Sequence, residues 1–248
     1  MIPKIIHYCW LSNDNIPKEL QECIATWKRQ LPDYEFMLWN FDRFDKKSSL
    51  WVQQAFDNKK YAFAADYIRL YALYNYGGIY LDMDVEVLKS FNPFLCLKTI
   101  LCFEKDGNNK LEMAAFGTEK GTCWLKECLT YYEKNSFIHE DGTFNTKVIP
   151  LVVRDVLASK YNLRPVFSLE EAKATDDNTI PIFSSDFFSP KSYITNKIEI
   201  TPNTVCIHHF TSSWISPINK IKLKGWNYLS THCKWLANII RKIWGRKV

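Results

Sequence analysis

Two carboxylates one residue apart, Asp82 and Asp84, are the first candidates for chemistry in this chain. The aromatic and β-branched residues of 80–85 predict a strand, in which side chains two positions apart project from the same face. Two negative charges that close repel each other unless a cation lies between them. Mg²⁺ and Mn²⁺ prefer such oxygen ligands and commonly take further ligands from a bound diphosphate. A bare Asp-x-Asp also occurs on solvated loops, so its context has to decide.

That context is an apolar segment immediately upstream. Residues 61–76 have helical length and are apolar on nearly all sides, which predicts a buried helix. Gly77 supplies the residue that ends it, and Gly78 permits a tight reversal into the following strand. Asp66 and Arg69 lie three positions apart and therefore share one face of this helix. Because buried charges are costly unless paired or used, this pair either joins the helix to its neighbours or faces a ligand.

The spacing of these residues resembles glycosyltransferase family 32, the Asp-x-Asp sugar transferases related to the catalytic domains of the large clostridial glucosylating toxins. The matching pattern is Ala65-Asp66-x-x-Arg69 followed by Tyr76-Gly77-Gly78-Ile79-Tyr80-Leu81-Asp82-x-Asp84. The segment 2–11 is similar to the first strand of that family, and the segment 208–214 resembles its C-terminal His-x-x-x-x-Ser-Trp element. The resemblance therefore extends over residues 2–214.

The resemblance implies an α/β fold of the GT-A type: a Rossmann-like mixed sheet flanked by helices, here over residues 1–219. It also implies a bound Mn²⁺ or Mg²⁺ held by Asp84, His208 and Ser213, while Asp82, helped by Tyr80, would contact the ribose or reach the ion through water. His208 is preferred to His209 because only His208 has the family spacing to the Ser-Trp pair.

The remaining site residues are also assigned by resemblance. The donor would be a UDP-sugar, whose base stacks on Trp10 with His7 nearby. Asp66 and Arg69 would bind sugar hydroxyls, and Trp214 would cover the donor. The residues assigned to nucleotide-sugar binding are His7, Trp10, Asp66, Arg69, Tyr80, Asp82 and Trp214. Those assigned to catalysis are Asp66, Arg69, Asp82 and Asp84.

Glu112 departs from the family pattern. Related transferases tend to carry an asparagine in the strand that returns after the Asp-x-Asp segment, and Glu112 aligns with that position. The contacts of that asparagine are therefore not carried over to this chain.

Composition and charge limit the classes of protein. The chain has 248 residues, of which 47% are hydrophobic and 15% aromatic, which suits one α/β domain with a large core. Its eight cysteines form no Cys-x-x-Cys and predict reduced thiols. Without a secretory-type segment or 18 consecutive apolar residues, cytoplasmic residence is expected, peripheral on the inner face of the plasma membrane.

The basic residues concentrate in the segment 220–248. The net charge of +5 combines −3 on residues 1–199 with eight basic residues after Glu199, which no acidic residue follows. Apolar residues at helical spacing predict a basic amphipathic helix on an anionic membrane surface. Docking of this helix on the domain is the alternative. Nothing in the sequence favours a nucleic-acid partner.

Together with the resemblance, these features predict a metal-dependent glycosyltransferase, and the resemblance implies that it retains the anomeric configuration. It would move a hexose or N-acetylhexosamine from a UDP-sugar to a saccharide acceptor, including a polyprenyl-diphosphate-linked one in bacterial capsule or O-antigen synthesis. The alternatives are a toxin-like protein glycosyltransferase and a non-catalytic carbohydrate-binding protein. A metal-dependent phosphodiesterase would have no use for the tryptophans Trp10 and Trp214.

Periodicity and turn residues give a coarse map of the other elements. Strands are predicted over 2–10, 33–39, 99–104, 111–116 and 204–208, and helices over 17–31, 49–56, 124–132 and 147–159. Residues 168–180 are predicted to form a polar surface excursion.

Overall fold

The computed structural model describes residues 1–107, 109–211 and 235, and its elements alternate between strands and helices. The strands are β1 Ile5–Cys9, β2 Glu35–Trp39, β3 Gly78–Leu81, β4 Val85–Val87, β5 Thr99–Phe103, β6 Leu111–Thr118, β7 Asn162–Val166, β8 Thr179–Phe183 and β9 Cys206–His208. The α-helices are α1 Lys18–Gln30, α2 Leu50–Asp57, α3 Tyr61–Tyr76, α4 Cys123–Lys134, α5 Ile149–Ala158, α6 Leu169–Lys173 and α7 Ser185–Phe188.

Seven strands form one mixed sheet in the order β2-β1-β3-β6-β5-β8-β7. β1 pairs in parallel with β2 and β3, while β6 runs antiparallel to both of its neighbours. Two further strands, β4 and β9, pair with each other outside this sheet. The helices flank the large sheet, so the predicted Rossmann-like mixed α/β architecture is confirmed.

Two apolar clusters cover the two faces of the sheet. Residues of α2, α3, α4 and α5 form one cluster, and residues of α1, β4 and α7 contribute to the other. Four tryptophans, Trp27, Trp39, Trp51 and Trp124, are at most 1% exposed, so much of the aromatic content serves ordinary packing. The Trp27 indole also donates a hydrogen bond of 2.6 Å to the carbonyl of Val85.

The Asp-x-Asp pair does not lie on a strand, and the prediction of a strand over 80–85 is wrong in this respect. β3 ends at Leu81, and residues 82–84 form a turn closed by a hydrogen bond from the Val85 N–H to the Asp82 carbonyl. The chain then enters β4, which belongs to the other sheet. The two carboxylates are therefore brought together by a turn between two sheets and not by strand alternation.

The helix before this turn matches its prediction, because α3 runs from Tyr61 to Tyr76. Gly77 ends it with a φ of +67° and donates its N–H to the Leu73 carbonyl. Gly78, with a φ of +110°, begins β3. A Cβ at position 78 would lie 2.6 Å from the Ile5 carbonyl oxygen. Only glycine lets β3 approach β1 this closely.

Most other elements lie where the periodicity placed them. The exceptions are β7 and α7, which were not predicted, and the excursion predicted over 168–180, which contains helix α6 and the start of β8. Ser213, Trp214 and the segment 220–248 lie outside the described residues, apart from Trp235. Over the described ranges, no helix has the length and apolarity needed to cross a membrane, and the seven cysteines found there are free.

The close approach at Gly78 generates a stability prediction. Gly78→Ala should lower the free energy of unfolding by at least about 2 kcal/mol more than Gly121→Ala, because it adds a backbone clash to an unfavourable φ. Gly121 has a φ of +73° and nothing within 4 Å of an added Cβ, so it reports the cost of φ alone, about 1–2 kcal/mol. Urea unfolding monitored by circular dichroism measures both. Equal losses of stability in the two variants would show that the close approach to the Ile5 carbonyl adds no cost at Gly78.

Candidate active site

A cavity of about 680 Å³ opens at the carboxyl ends of β1 and β3. Cys9 and Trp10 line it from the end of β1, and Asp82 to Asp84 line it from the turn after β3. Asp66 and Arg69 reach it from α3, and Glu112 and His208 from β6 and β9. Open α/β sheets place their ligands at this edge.

Three side chains in the cavity form a set that could hold a cation. One ligand atom each from Asp82, Asp84 and His208 lies within 4.8 Å of the other two. The pairing of β4 with β9 accounts for this, since it sets His208 opposite Val85, the residue after Asp84. The structure thus brings His208 to the Asp-x-Asp turn across more than a hundred residues of sequence.

The Asp84 carboxylate is buried, and each of its oxygens has a neighbour. The Thr211 N–H and hydroxyl donate to Oδ2 at 2.8 and 3.1 Å. Oδ1 lies 3.5 Å from His208 Nε2. The Asp84 carbonyl also accepts a hydrogen bond from the His209 N–H. Asp84 is therefore fixed from both its backbone and its side chain.

His208 lies between two carboxylates, with Nδ1 3.1 Å from Glu112 Oε2 and Nε2 facing Asp84. Burial alone would lower the pKa of His208, but the negative charges of Glu112 and Asp84 raise it to about 9. The imidazole is therefore protonated at neutral pH when no cation is bound. The Phe210 ring packs against it with ring centroids 3.9 Å apart.

The donor set fits a hard or borderline divalent ion. Two carboxylates and an imidazole are ligands that Mn²⁺ and Mg²⁺ accept, and an octahedral ion would keep positions for diphosphate oxygens. Such an ion needs several ligand atoms close to one point, and the two carboxylates and the imidazole meet in this way. When no ion is bound, the positive charge of a protonated His208 compensates the negative charges of the neighbouring carboxylates.

A second cluster joins α3 to the same turn. Arg69 Nη2 lies 3.4 Å from Asp66 Oδ1 and 3.3 Å from Asp82 Oδ1, and Nη1 donates to the Met113 carbonyl at 2.8 Å. The guanidinium also lies over the Tyr80 ring, 4.5 Å from its centroid. Among the described residues, Arg69 Nε has no hydrogen-bond partner although it is buried.

The two carboxyl groups beside Arg69 have raised pKa values. Burial raises the pKa of Asp66 to about 6, although the positive charge of Arg69 opposes the shift. Burial also raises the pKa of Asp82, again against Arg69. The Tyr80 hydroxyl donates to Asp82 at 3.0 Å. This cluster therefore presents a few polar groups to the cavity, as small-molecule binding sites generally do.

The predicted nucleotide-binding residues separate into two groups. Trp10 lines the cavity and is partly exposed, with its indole donating to the Asp14 carbonyl at 2.9 Å. The assignment of His7 to nucleotide binding needs correction. Its ring is fully buried, Nε2 donates to the Gly77 carbonyl at 2.7 Å, and Nδ1 accepts from the Trp39 indole at 3.0 Å. Burial lowers the pKa of His7 to about 4, so the ring is neutral. It supports the turn at Gly77 and Gly78 through its hydrogen bond to the Gly77 carbonyl.

Glu112 is a site residue whose role the sequence did not reveal. It is 3% exposed, and it receives hydrogen bonds from the Ala114 N–H at 2.8 Å and the Ser189 hydroxyl at 2.7 Å. Burial would raise its pKa, but His208 and these donors lower it to about 2. The departure from the family asparagine was the available signal. Ser213 and Trp214, assigned by resemblance, fall beyond the described part of the chain.

Comparison with known proteins identifies the part of the chain that carries Asp66, Arg69 and the Asp-x-Asp turn. Residues 17–101 match the family described as "Glycosyltransferase sugar-binding region containing DXD motif". Inositol phosphoceramide mannosyltransferase 1 of Schizosaccharomyces pombe is 31% identical over 107 residues, which cover 40% of this chain and 33% of that protein. Mannosyl phosphorylinositol ceramide synthase CSH1 of Saccharomyces cerevisiae is 36% identical over 149 residues, 56% of this chain and 38% of that protein.

The chain thus spans about a third of the length of these relatives. Among solved structures, galactosyltransferase LgtC in complex with donor and acceptor sugar analogues aligns with a TM-score of 0.46 and 12% identity, over 89% of this chain and 95% of LgtC. The PaToxG glycosyltransferase aligns with a TM-score of 0.46 and 19% identity, over 64% and 69%. Residues 17–101 are thus similar to the sugar-binding region of the DXD glycosyltransferases, the type of sugar transferase that the sequence motifs resemble.

Proposed function

We propose that this protein is a divalent-metal-dependent glycosyltransferase that moves a sugar from a UDP-sugar to a saccharide acceptor. The observation that carries the proposal is the convergence of Asp82, Asp84 and His208 in a cavity that Asp66 and Arg69 also line. Residues 17–101 match a DXD sugar-binding region, which supports sugar transfer over the use of the same carboxylates in phosphodiester hydrolysis.

In this proposal, different residues of the cavity bind different parts of the donor. Trp10, at the end of β1, offers its ring to the uracil base. Asp82, which accepts a hydrogen bond of 3.0 Å from the Tyr80 hydroxyl, contacts the ribose. Asp66 and Arg69 bind the hydroxyls of the transferred sugar and orient its anomeric carbon. Orientation of this kind lowers the entropic part of the barrier.

Asp82, Asp84 and His208 would hold Mn²⁺ or Mg²⁺ against the diphosphate. When bound, the ion neutralises the charge that develops on the leaving UDP. His208 must lose its proton to become a ligand, and Glu112 keeps the other ring nitrogen occupied. We further propose that the anomeric configuration is retained and that the acceptor hydroxyl approaches from the leaving-group side.

The acceptor side of the proposal rests on the tail and on the relatives. The fungal relatives are named as mannosyltransferases of inositol phosphoceramide, and the segment 220–248 is basic with apolar residues at helical spacing. We therefore propose a lipid-linked saccharide as acceptor, including the polyprenyl-diphosphate-linked type used in bacterial capsule or O-antigen assembly. Mannosyl donors belong in the same screen as glucose, galactose and their N-acetyl forms.

The decisive experiment is a donor screen for nucleotide release. With Mn²⁺ present, at least one UDP-sugar, or GDP-mannose if the donor base differs, should be hydrolysed slowly without an acceptor. Asp84→Asn should reduce the rate at least about 100-fold, because it removes a negative ligand of the ion. Asp177→Asn, at a side chain 87% exposed and paired with Lys98, is the matched control and should retain the rate.

The screen also separates the competing functions. Release of UDP that disappears with EDTA supports transfer, while GDP release alone would replace UDP by GDP in the proposal. A carbohydrate-binding protein would release no nucleotide from any donor, and a phosphodiesterase would cleave a diester such as bis-p-nitrophenyl phosphate without a sugar acceptor. Either result would overturn the proposed activity.

The raised pKa of His208 predicts a proton released on metal binding. Below about pH 9 the free imidazole holds a proton that a metal ligand cannot keep. Titration calorimetry of Mn²⁺ binding at pH 7.5, in two buffers of different ionisation enthalpy, should give close to one proton released per ion. The number should fall towards zero above pH 9. A pH-independent value near zero would contradict a His208 that is protonated before the ion binds and loses that proton on binding it.

Membrane association is the remaining proposal, and it places the enzyme on the cytoplasmic face of a membrane. The full chain should float with vesicles containing about one third phosphatidylserine at low salt and less so at high salt, because each basic residue near the surface contributes about 1 kcal/mol. Arg241→Glu combined with Lys242→Glu should weaken flotation. Lys126→Glu combined with Lys134→Glu, a surface pair of equal charge on α4, should not. A full chain that stays in the soluble fraction at both salt concentrations would contradict membrane binding.

A further inference from the structure

We propose that Glu112 is a positioning residue for the metal site, holding the His208 ring so that Nε2 points toward Asp84, where a cation would bind. The inference rests on the proposed metal-dependent function and assigns a role to the position where the sequence departs from the family pattern. Glu112 is not itself a candidate ligand. Among the described residues, that set contains Asp82, Asp84 and His208.

The geometry of the His208 ring carries the first step. Its two nitrogens face opposite partners: Nδ1 lies 3.1 Å from Glu112 Oε2, and Nε2 lies 3.5 Å from Asp84 Oδ1. A carboxylate accepts hydrogen bonds and cannot donate them. Glu112 therefore keeps the hydrogen on Nδ1 and leaves Nε2 as the nitrogen available to a cation. A carboxylate that fixes the tautomer of a ligating histidine also makes the imidazole a stronger ligand.

The second step is that Glu112 is itself held in place. Its Oε1 accepts from the Ala114 N–H within the same strand, and its Oε2 accepts from the Ser189 hydroxyl as well as facing His208. Glu112 is 3% exposed and Ser189 is fully buried. A side chain tied to β6 in this way cannot follow His208 if the histidine rotates, so it acts as a fixed reference for the ring.

A neighbouring pair shows what a carboxylate–histidine contact looks like outside the cation set. His209 Nε2 lies 2.9 Å from Glu86 Oε2, yet among the described residues the set that could share a cation does not include His209. Glu86 lies within β4 and Glu112 within β6, and both carry one negative charge. Glu86→Gln therefore removes the same charge near the same site without touching His208, which makes it the matched control.

The test measures the affinity for Mn²⁺ by titration calorimetry on the full chain, with thermal unfolding followed in EDTA. Glu112→Gln keeps the size of the side chain but offers an amide that can present its NH₂ to Nδ1. We expect Mn²⁺ to bind about 10–100-fold more weakly to this variant and within about twofold of the original affinity to Glu86→Gln. Ser189→Ala keeps the charge of Glu112 but frees one of its oxygens, and we expect an intermediate loss.

The outcomes separate this inference from the proposed function. If the unmodified protein binds Mn²⁺ and Glu112→Gln binds it equally well while unfolding at a lower temperature, Glu112 is only structural and the inference is overturned. Equal losses in Glu112→Gln and Glu86→Gln would show a general charge effect and overturn it as well. If the unmodified protein binds no Mn²⁺, the proposed metal site fails together with the inference. If Glu112→Gln does not fold, an unchanged affinity in Ser189→Ala overturns the inference and a weaker one supports it.

Discussion

The short antiparallel pairing of β4 with β9 is the interaction on which the site depends. It covers only three residue pairs, yet it sets His208 opposite Val85 and so beside Asp84. Further contacts fix the same junction, because the His209 N–H donates to the Asp84 carbonyl and Thr211 donates to its carboxylate. Without this pairing the large sheet would still present Asp82 at its edge, but no imidazole would reach it.

Alternating charge is what makes so many ionised groups tolerable in a largely buried site. The two buried cations, Arg69 and His208, each lie between two carboxylates at distances of 3.1–3.5 Å. The two such triplets are Asp66–Arg69–Asp82 and Asp84–His208–Glu112. An isolated buried charge is expensive, whereas a compensated one is held at modest cost. The two cations also differ chemically, because Arg69 keeps its charge permanently while an imidazole such as His208 can lose its proton, as the proposed metal site requires.

The sequence predicted those parts of the molecule that depend on local interactions. Helix α3 was predicted at its observed ends, because its glycine stop and its apolar faces are encoded within the helix and at its end. The turn at residues 82–84 was missed because the chain leaves its pairing with β6 there and pairs instead with β9, a strand more than a hundred residues away in sequence. β7 escaped prediction because Arg164 and Pro165 interrupt its apolar pattern at the edge of the sheet. Whether His7 faces the cavity or the core, and what Glu112 contacts, is set by residues distant in sequence, which no local pattern records.

The indole of Trp27 adds a mechanical link between the first helix and the carboxylates. Its hydrogen bond to the carbonyl of Val85 anchors the backbone one peptide beyond Asp84 to the inner face of α1. A change in how that helix packs on the sheet would therefore shift the Asp-x-Asp turn, although neither carboxylate belongs to α1. Residues remote from the cavity are in this way connected to the backbone that positions its carboxylates.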